Sequence, residues 1–220
     1  FARCGALRSI ASPFTSTFTG TRAMKRHTWI WFMGSGLIWL WCLGVLIPDW
    51  DVPAWRELIR GTARTSLLFF LLAYTAQAAW ATWPHAATQW VREQRRDWGL
   101  LLLTSHGTHL IGIVMFWQLD ATGFATLVPV ANLYSGGLAY AFLLGMGLTS
   151  FAPFSLWAGP RFCSVVHRWG MHYLWLSFVV ANGKRIPQNG WYALPVVLLL
   201  MAAAWRWLAQ RHGSLQLNRC

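Results

Sequence analysis

Five intervals of this chain run for twenty or more residues without Asp, Glu, Lys or Arg: Arg26 to Asp49, Arg64 to Arg92, Asp97 to Asp120, Asp120 to Arg161, and Arg185 to Arg206. A helix rises about 1.5 Å per residue and a bilayer's hydrocarbon is about 30 Å thick, so about 20 mostly apolar residues suffice to cross it. All five intervals reach that length. A sixth, Trp169 to Gly183, is shorter but rich in large apolar residues, with His167 and Arg168 at its polar start. The spans expected are 28–48, 66–83, 98–118, 124–149, 163–182 and 190–209. Runs such as Leu100-Leu101-Leu102-Leu103 and Val196-Val197-Leu198-Leu199-Leu200 do not alternate, as barrel strands would. In lipid the helix is then the structure that pairs every backbone group within its own segment. The fold class expected is an all-α polytopic membrane protein, a six-helix transmembrane bundle.

Composition excludes a soluble enzyme. Charged residues make up 11% of the chain, where a soluble domain carries about a quarter. The net charge of +12 would suggest nucleic acid in a soluble protein, but here topology accounts for it. With the N-terminus in the cytoplasm, thirteen Lys and Arg fall inside and five outside: Arg56, Arg60, Arg64, Lys184 and Arg185. This bias follows the positive-inside rule. The expected location is a bacterial inner membrane, with both termini cytoplasmic and the lipid bilayer as the main surroundings. Several Trp residues, Trp50, Trp83, Trp117 and Trp191 among them, fall at span ends, where indoles anchor. Trp39, Trp41 and Trp175 lie within spans, where packing between helices is the expected role.

Residues 1–23 mix Arg, Ser, Thr and Gly without an apolar run and read as upstream sequence or a disordered tail. The transmembrane domain is expected over 24–212, with a C-terminal tail over 213–220. The connections are too short to house a nucleotide or flavin domain, and no GxGxxG or P-loop occurs. Cys4, Cys42, Cys163 and Cys220 form no CxxC or CxxCH, so covalent haem and a zinc site gain no support.

Polar residues within spans are the informative ones in lipid. His106 and His109 lie within about a turn of the middle of the third span. His172 lies at the middle of the fifth, with His167 nearer its start. Two helices thus carry imidazoles at one expected depth, as a haem held between helices requires. Plain packing with hydrogen-bonded histidines is the competing reading, and a proton or metal transporter is a third. No Asp or Glu falls inside a span to complete a proton relay.

Arg95-Arg96-Asp97-Trp98-Gly99-Leu100, with His109 fourteen residues after Arg95, resembles the ferric-reductase-like transmembrane family. The nearest branch is the haem-binding membrane subunit of the periplasmic methionine sulfoxide reductase system. Gly61, Leu68, Leu72 and Thr75 follow that branch's second-span spacing, with Ala76 in place of its usual Pro. Leu148-Thr149-Ser150, His167-Arg168 and His172-Tyr173-Leu174-Trp175 are similar to its later motifs. The similarity covers roughly residues 61–192. It departs at the fifth-span histidines, which are thirteen residues apart in the family and five apart here.

The resemblance implies a haem-b electron carrier that takes electrons from a cytoplasmic flavin reductase or quinol and delivers them to a periplasmic redox partner. With one family ligand position empty, a single haem is expected, held by His109 and His172. His106 stands by as a substitute, His167 at the haem edge, and Arg95 at the family's second-site position. Flavin or quinone would come with the partner. The alternative is a non-haem membrane protein of the same fold, a transporter or an assembly component.

Overall fold

The computed structural model describes residues 20–217, with side chains from 29 to 211. The expected tails fall largely outside the described residues: 1–19 and 218–220 wholly so. The described elements are helices throughout: α1 (Gly20–Leu46), α2 (Val52–Thr82), α3 (Ala86–Glu93), α4 (Arg95–Leu119), α5 (Ala121–Leu127), α6 (Val130–Thr149), α7 (Ala152–Gly183), a 3-10 turn (Gly190–Tyr192) and α8 (Ala193–Leu217). Three segments, Trp29–Leu46, Arg95–Leu119 and Gly190–Arg211, are long and apolar enough to cross a membrane. A fourth span follows if α5 and α6 are counted together. Trp29, Phe32, Met33, Leu37 and Leu40 on α1, and Val197, Leu200 and Met201 on α8, all point outward. Such a continuous apolar exterior suits a bilayer and would aggregate in water. The described residues are thus all-helical, with three or four helices able to cross a membrane.

Three elements depart from the expected spans, each for a local reason. First, α2 begins fourteen residues before the expected start at 66. Asp51 caps it by accepting from Ala54 N at 2.9 Å, and Pro53 sits in the first turn, where its missing N–H costs nothing. Arg56, Arg60 and Arg64 recur every four residues and share one face, so the charges line the helix instead of ending it.

Second, the expected span 124–149 is broken. Val128 is extended (φ −118°, ψ 94°), as a residue preceding proline prefers. Pro129 follows, and α5 meets α6 at 89°.

Third, α7 starts at Ala152 and kinks at Gly159, whose φ of 78° and ψ of 158° suit glycine alone. Pro160 then opens the straight segment that carries the fifth-span histidines.

Helix α2 lies at the centre, packed along α4 and flanked by α1, α3 and α8, while α7 joins α6 to α8. One core cluster gathers Phe70 and Tyr74 of α2, Leu102 of α4, Leu143 of α6, Leu174 and Phe178 of α7, and Leu199 of α8. A second joins Ile38 and Cys42 of α1 to Trp55 and Leu58 of α2 and to Trp98 and Leu101 of α4. Trp175 takes the packing role, donating from Nε1 to Leu199 O of α8 at 2.9 Å.

Candidate functional site

The α2–α4 seam carries a cluster of buried hydroxyl groups within a mostly apolar core. On α2, Thr62, Thr65 and Ser66 stand at helical spacing on the face turned to α4, and Thr62 and Ser66 are fully buried. Buried Ser105 of α4 completes the seam: its Oγ lies 2.7 Å from Thr65 Oγ1, accepts from Ser66 Oγ at 3.0 Å and donates to Thr62 O at 3.0 Å. Small hydroxyl residues let two helices approach closely while satisfying each other's polar groups. Gly112, two turns further along α4, belongs to the same contact, since a Cβ there would meet Ile59 Cγ1 at 2.8 Å.

This seam fixes His109. Its Nδ1 lies 2.9 Å from Ile59 O and 3.2 Å from Thr62 Oγ1. A carbonyl oxygen only accepts, so Nδ1 carries the proton and donates to Ile59 O. Thr62 gives its own hydroxyl proton to Leu58 O at 2.7 Å, which leaves Oγ1 as a second acceptor for the same N–H. The Nε2 lone pair of His109 is thereby free to act as an acceptor or a metal ligand.

His106, one turn earlier, stacks on His109 with ring centroids 5.1 Å apart and planes 13° apart. Tyr140 of α6 lies against its other side at 5.0 Å, and Phe178 of α7 meets its edge at 5.9 Å. Among the described residues, His106 Nδ1 and Tyr140 Oη are buried without a hydrogen-bond partner. An unpaired buried polar atom costs about 1–3 kcal/mol, and two together in a membrane protein's core mark a site with a polar purpose. Four helices thus converge here: α2 orients His109, α4 supplies both imidazoles, α6 brings a phenol and α7 an aromatic wall.

The other expected residues lie elsewhere. His172 is exposed on α7. Its neighbour Tyr173 turns to α6 instead, donating to Ser135 O at 2.9 Å, and Leu174 enters the core. Phe178 is the α7 residue level with His106, and His172 precedes it by six residues, about 9 Å of helix. Sequence reasoning put His172 at the depth of His106 and His109 by centring α7 on 172, but the kink at Gly159 and the packing on α6 set a different level. His167 lies within hydrogen-bond distance of Thr149 at the end of α6, Nε2 to Oγ1 at 3.1 Å. Helix α6 runs antiparallel to α4, with Gly147 against Leu103 and Tyr140 against His106. His167 therefore sits toward the end of the bundle where Arg95, exposed, opens α4. The structure brings together His106 and His109, and not His167, His172 or Arg95.

The donor set meets the needs of a haem on one side. His109 would hold such a group through Nε2, since its Nδ1 is anchored. His106 stacks nearly parallel to His109 on the same helix, so the two imidazoles would not hold one group between them. The small residues divide in the same way: Gly112, Gly147 and Gly170 abut neighbouring side chains, while nothing stands within 4 Å of a Cβ at Gly107, Gly136 or Gly137. No group of three or more His, Cys, Asp or Glu able to hold a metal ion occurs among the described residues.

Sequence reasoning missed Tyr140 and the hydroxyl seam. The seam had a readable signal, Ser and Thr at i, i+3 and i+4, on a helix whose other face carries Arg60 and Arg64. Tyr140 had a weaker one, one of two phenols inside a glycine-rich span. No family profile, curated protein or solved structure matches this chain.

Proposed function

We propose that this chain is a membrane electron-transfer subunit that holds one b-type haem from His109. The observation carrying the reading is the anchored imidazole: Nδ1 of His109 tied to Ile59 O, Nε2 free, in the middle of an apolar helix. A haem would supply one-electron chemistry, and the chain's own part is ligation, burial and orientation. The hydroxyl seam holds the ring's tautomer and direction, as outer partners of metal-ligating histidines do. The sequence expectation pairs His109 with His172, and the exposure of His172 leaves His109 to carry the proposal.

The wider setting belongs to the same proposal. Six helices of twenty or more residues are read as a six-helix bundle in a bacterial inner membrane, both termini cytoplasmic. The resemblance to the ferric-reductase-like family supports a cytoplasmic flavin or quinol donor and a periplasmic acceptor. Arg92, Arg95 and Arg96 would face the donor.

A reduced-minus-oxidised visible spectrum of the purified, haem-supplied full chain tests the reading. A b-type spectrum that disappears in His109→Ala is expected. Folded protein that takes up no haem would transfer the reading to a non-haem membrane protein, a transporter or assembly component. That second reading is favoured by one observation, the lack of a second imidazole opposite His109 among the described residues.

A further inference from the structure

The three arginines of α2 line a cavity of about 440 Å³, together with Trp41 of α1, Pro53, Glu57 and Gly61. Three guanidinium groups and one carboxylate leave it with two positive charges in excess. Arg56 sits over the Phe116 ring at 5.8 Å, while Arg60 and Arg64 are exposed. Successive arginines are about 6 Å apart along the helix. Arg64 lies twelve residues into α2, and from there the helix turns apolar, through Leu67 to Phe70. Charges carried this far along a membrane helix call for anionic partners, and the cavity itself offers Glu57 alone.

A second cavity, about 570 Å³, adjoins the first. It runs between α1, α2 and α4 and is lined almost wholly by apolar side chains, Met33, Leu37, Phe69 and Leu101 among them. Trp41 lines both cavities. Its indole lies against Gly61, where a Cβ would collide with it. The charged limb lies beside the α1–α2 turn. The apolar limb extends from Trp41 back to Trp29, twelve residues or about 18 Å deeper along α1. Trp41 is the wall the two cavities share, so a cationic cavity near the end of the helices lies next to an apolar one toward their middle.

We propose that the two cavities together bind one anionic phospholipid, its phosphate on Arg56, Arg60 and Arg64 and an acyl chain along the apolar limb. Charge complementarity selects the head group, and the continuous apolar limb selects a lipid over a soluble anion. This site stands apart from the histidine cluster and does not depend on the haem reading.

The test uses the full-length chain in neutral detergent, with native mass spectrometry counting bound lipids on the folded protein. The probes are phosphatidylglycerol, phosphatidylcholine with the same acyl chains, and inorganic phosphate. Each basic residue near an anionic lipid surface strengthens binding several-fold, so phosphatidylglycerol should bind at least about tenfold tighter than phosphatidylcholine. R60Q/R64Q should bring the two lipids level, whereas R185Q, outside both cavities, should keep the preference. Met33→Trp, which fills the apolar limb, should weaken both lipids. Equal binding of the two lipids by the parent chain would overturn the proposal, as would a preference that survives R60Q/R64Q or disappears in R185Q. Inorganic phosphate displacing phosphatidylglycerol at equal concentration would make the cationic cavity a free-anion site and overturn the lipid assignment.

Discussion

The imidazole of His109 is held by a backbone oxygen on the neighbouring helix, Nδ1 to Ile59 O at 2.9 Å, with Thr62 Oγ1 3.2 Å from the same nitrogen. The pair of acceptors points Nε2 away from α2. Thr62→Val removes one acceptor at nearly constant volume and leaves the Ile59 bond. Loss of such an outer partner typically costs 10- to 100-fold in metal affinity. Haem retention during dilution should therefore fall by about that factor, without full loss of the spectrum. Retention equal to the parent would show that Ile59 O alone sets the ring.

Tyr140 gives a prediction of opposite sign. Its hydroxyl is buried and unpaired among the described residues, which costs about 1–3 kcal/mol. Tyr140→Phe should therefore unfold at a higher temperature than the parent when both are purified without added haem. A lower unfolding temperature would mean that the hydroxyl is bonded after all.

The Trp41–Gly61 approach predicts a compensated pair. Gly61→Ala forces a methyl group into the indole, and overpacking of this kind costs about 1–3 kcal/mol. Trp41→Leu should recover most of that loss in the double variant, because the smaller side chain vacates the space. Simple addition of the two single effects in thermal unfolding would show that the two residues do not press on each other.

Gly159 tests the kink of α7. At φ 78° and ψ 158° any other residue is strained by about 1–3 kcal/mol. Gly159→Ala should lower stability by that amount while leaving the haem spectrum in place, since the kink lies away from His109. An unchanged unfolding temperature would argue for a regular helix through 159.

Charge-free intervals were enough to foresee an all-helical membrane protein, because lipid leaves few ways to pair a backbone. They located α1, α4 and α8 closely. They failed at α2, where Arg56, Arg60 and Arg64 were counted as a loop although they occupy one face of a continuing helix. The break between α5 and α6 was legible in Pro129 but was read through. Within the candidate site, the nearness of His106 and His109 was legible because both lie on one helix, a local property. The level of α7 relative to α4 depends on the Gly159 kink and on packing against α6, neither of which spacing along the chain encodes. His172 was therefore placed at the right position in its own helix and at the wrong level for its neighbours.

In the proposed function, His109 is the residue that would hold haem. The most direct measurement is the reduced-minus-oxidised spectrum of two variants, His109→Ala and His172→Ala, purified side by side from haem-supplied cells. Loss of the b-type bands is expected in the first and their persistence in the second, because His109 is anchored in the core and His172 is exposed on α7. Bands retained in His109→Ala would contradict that reading.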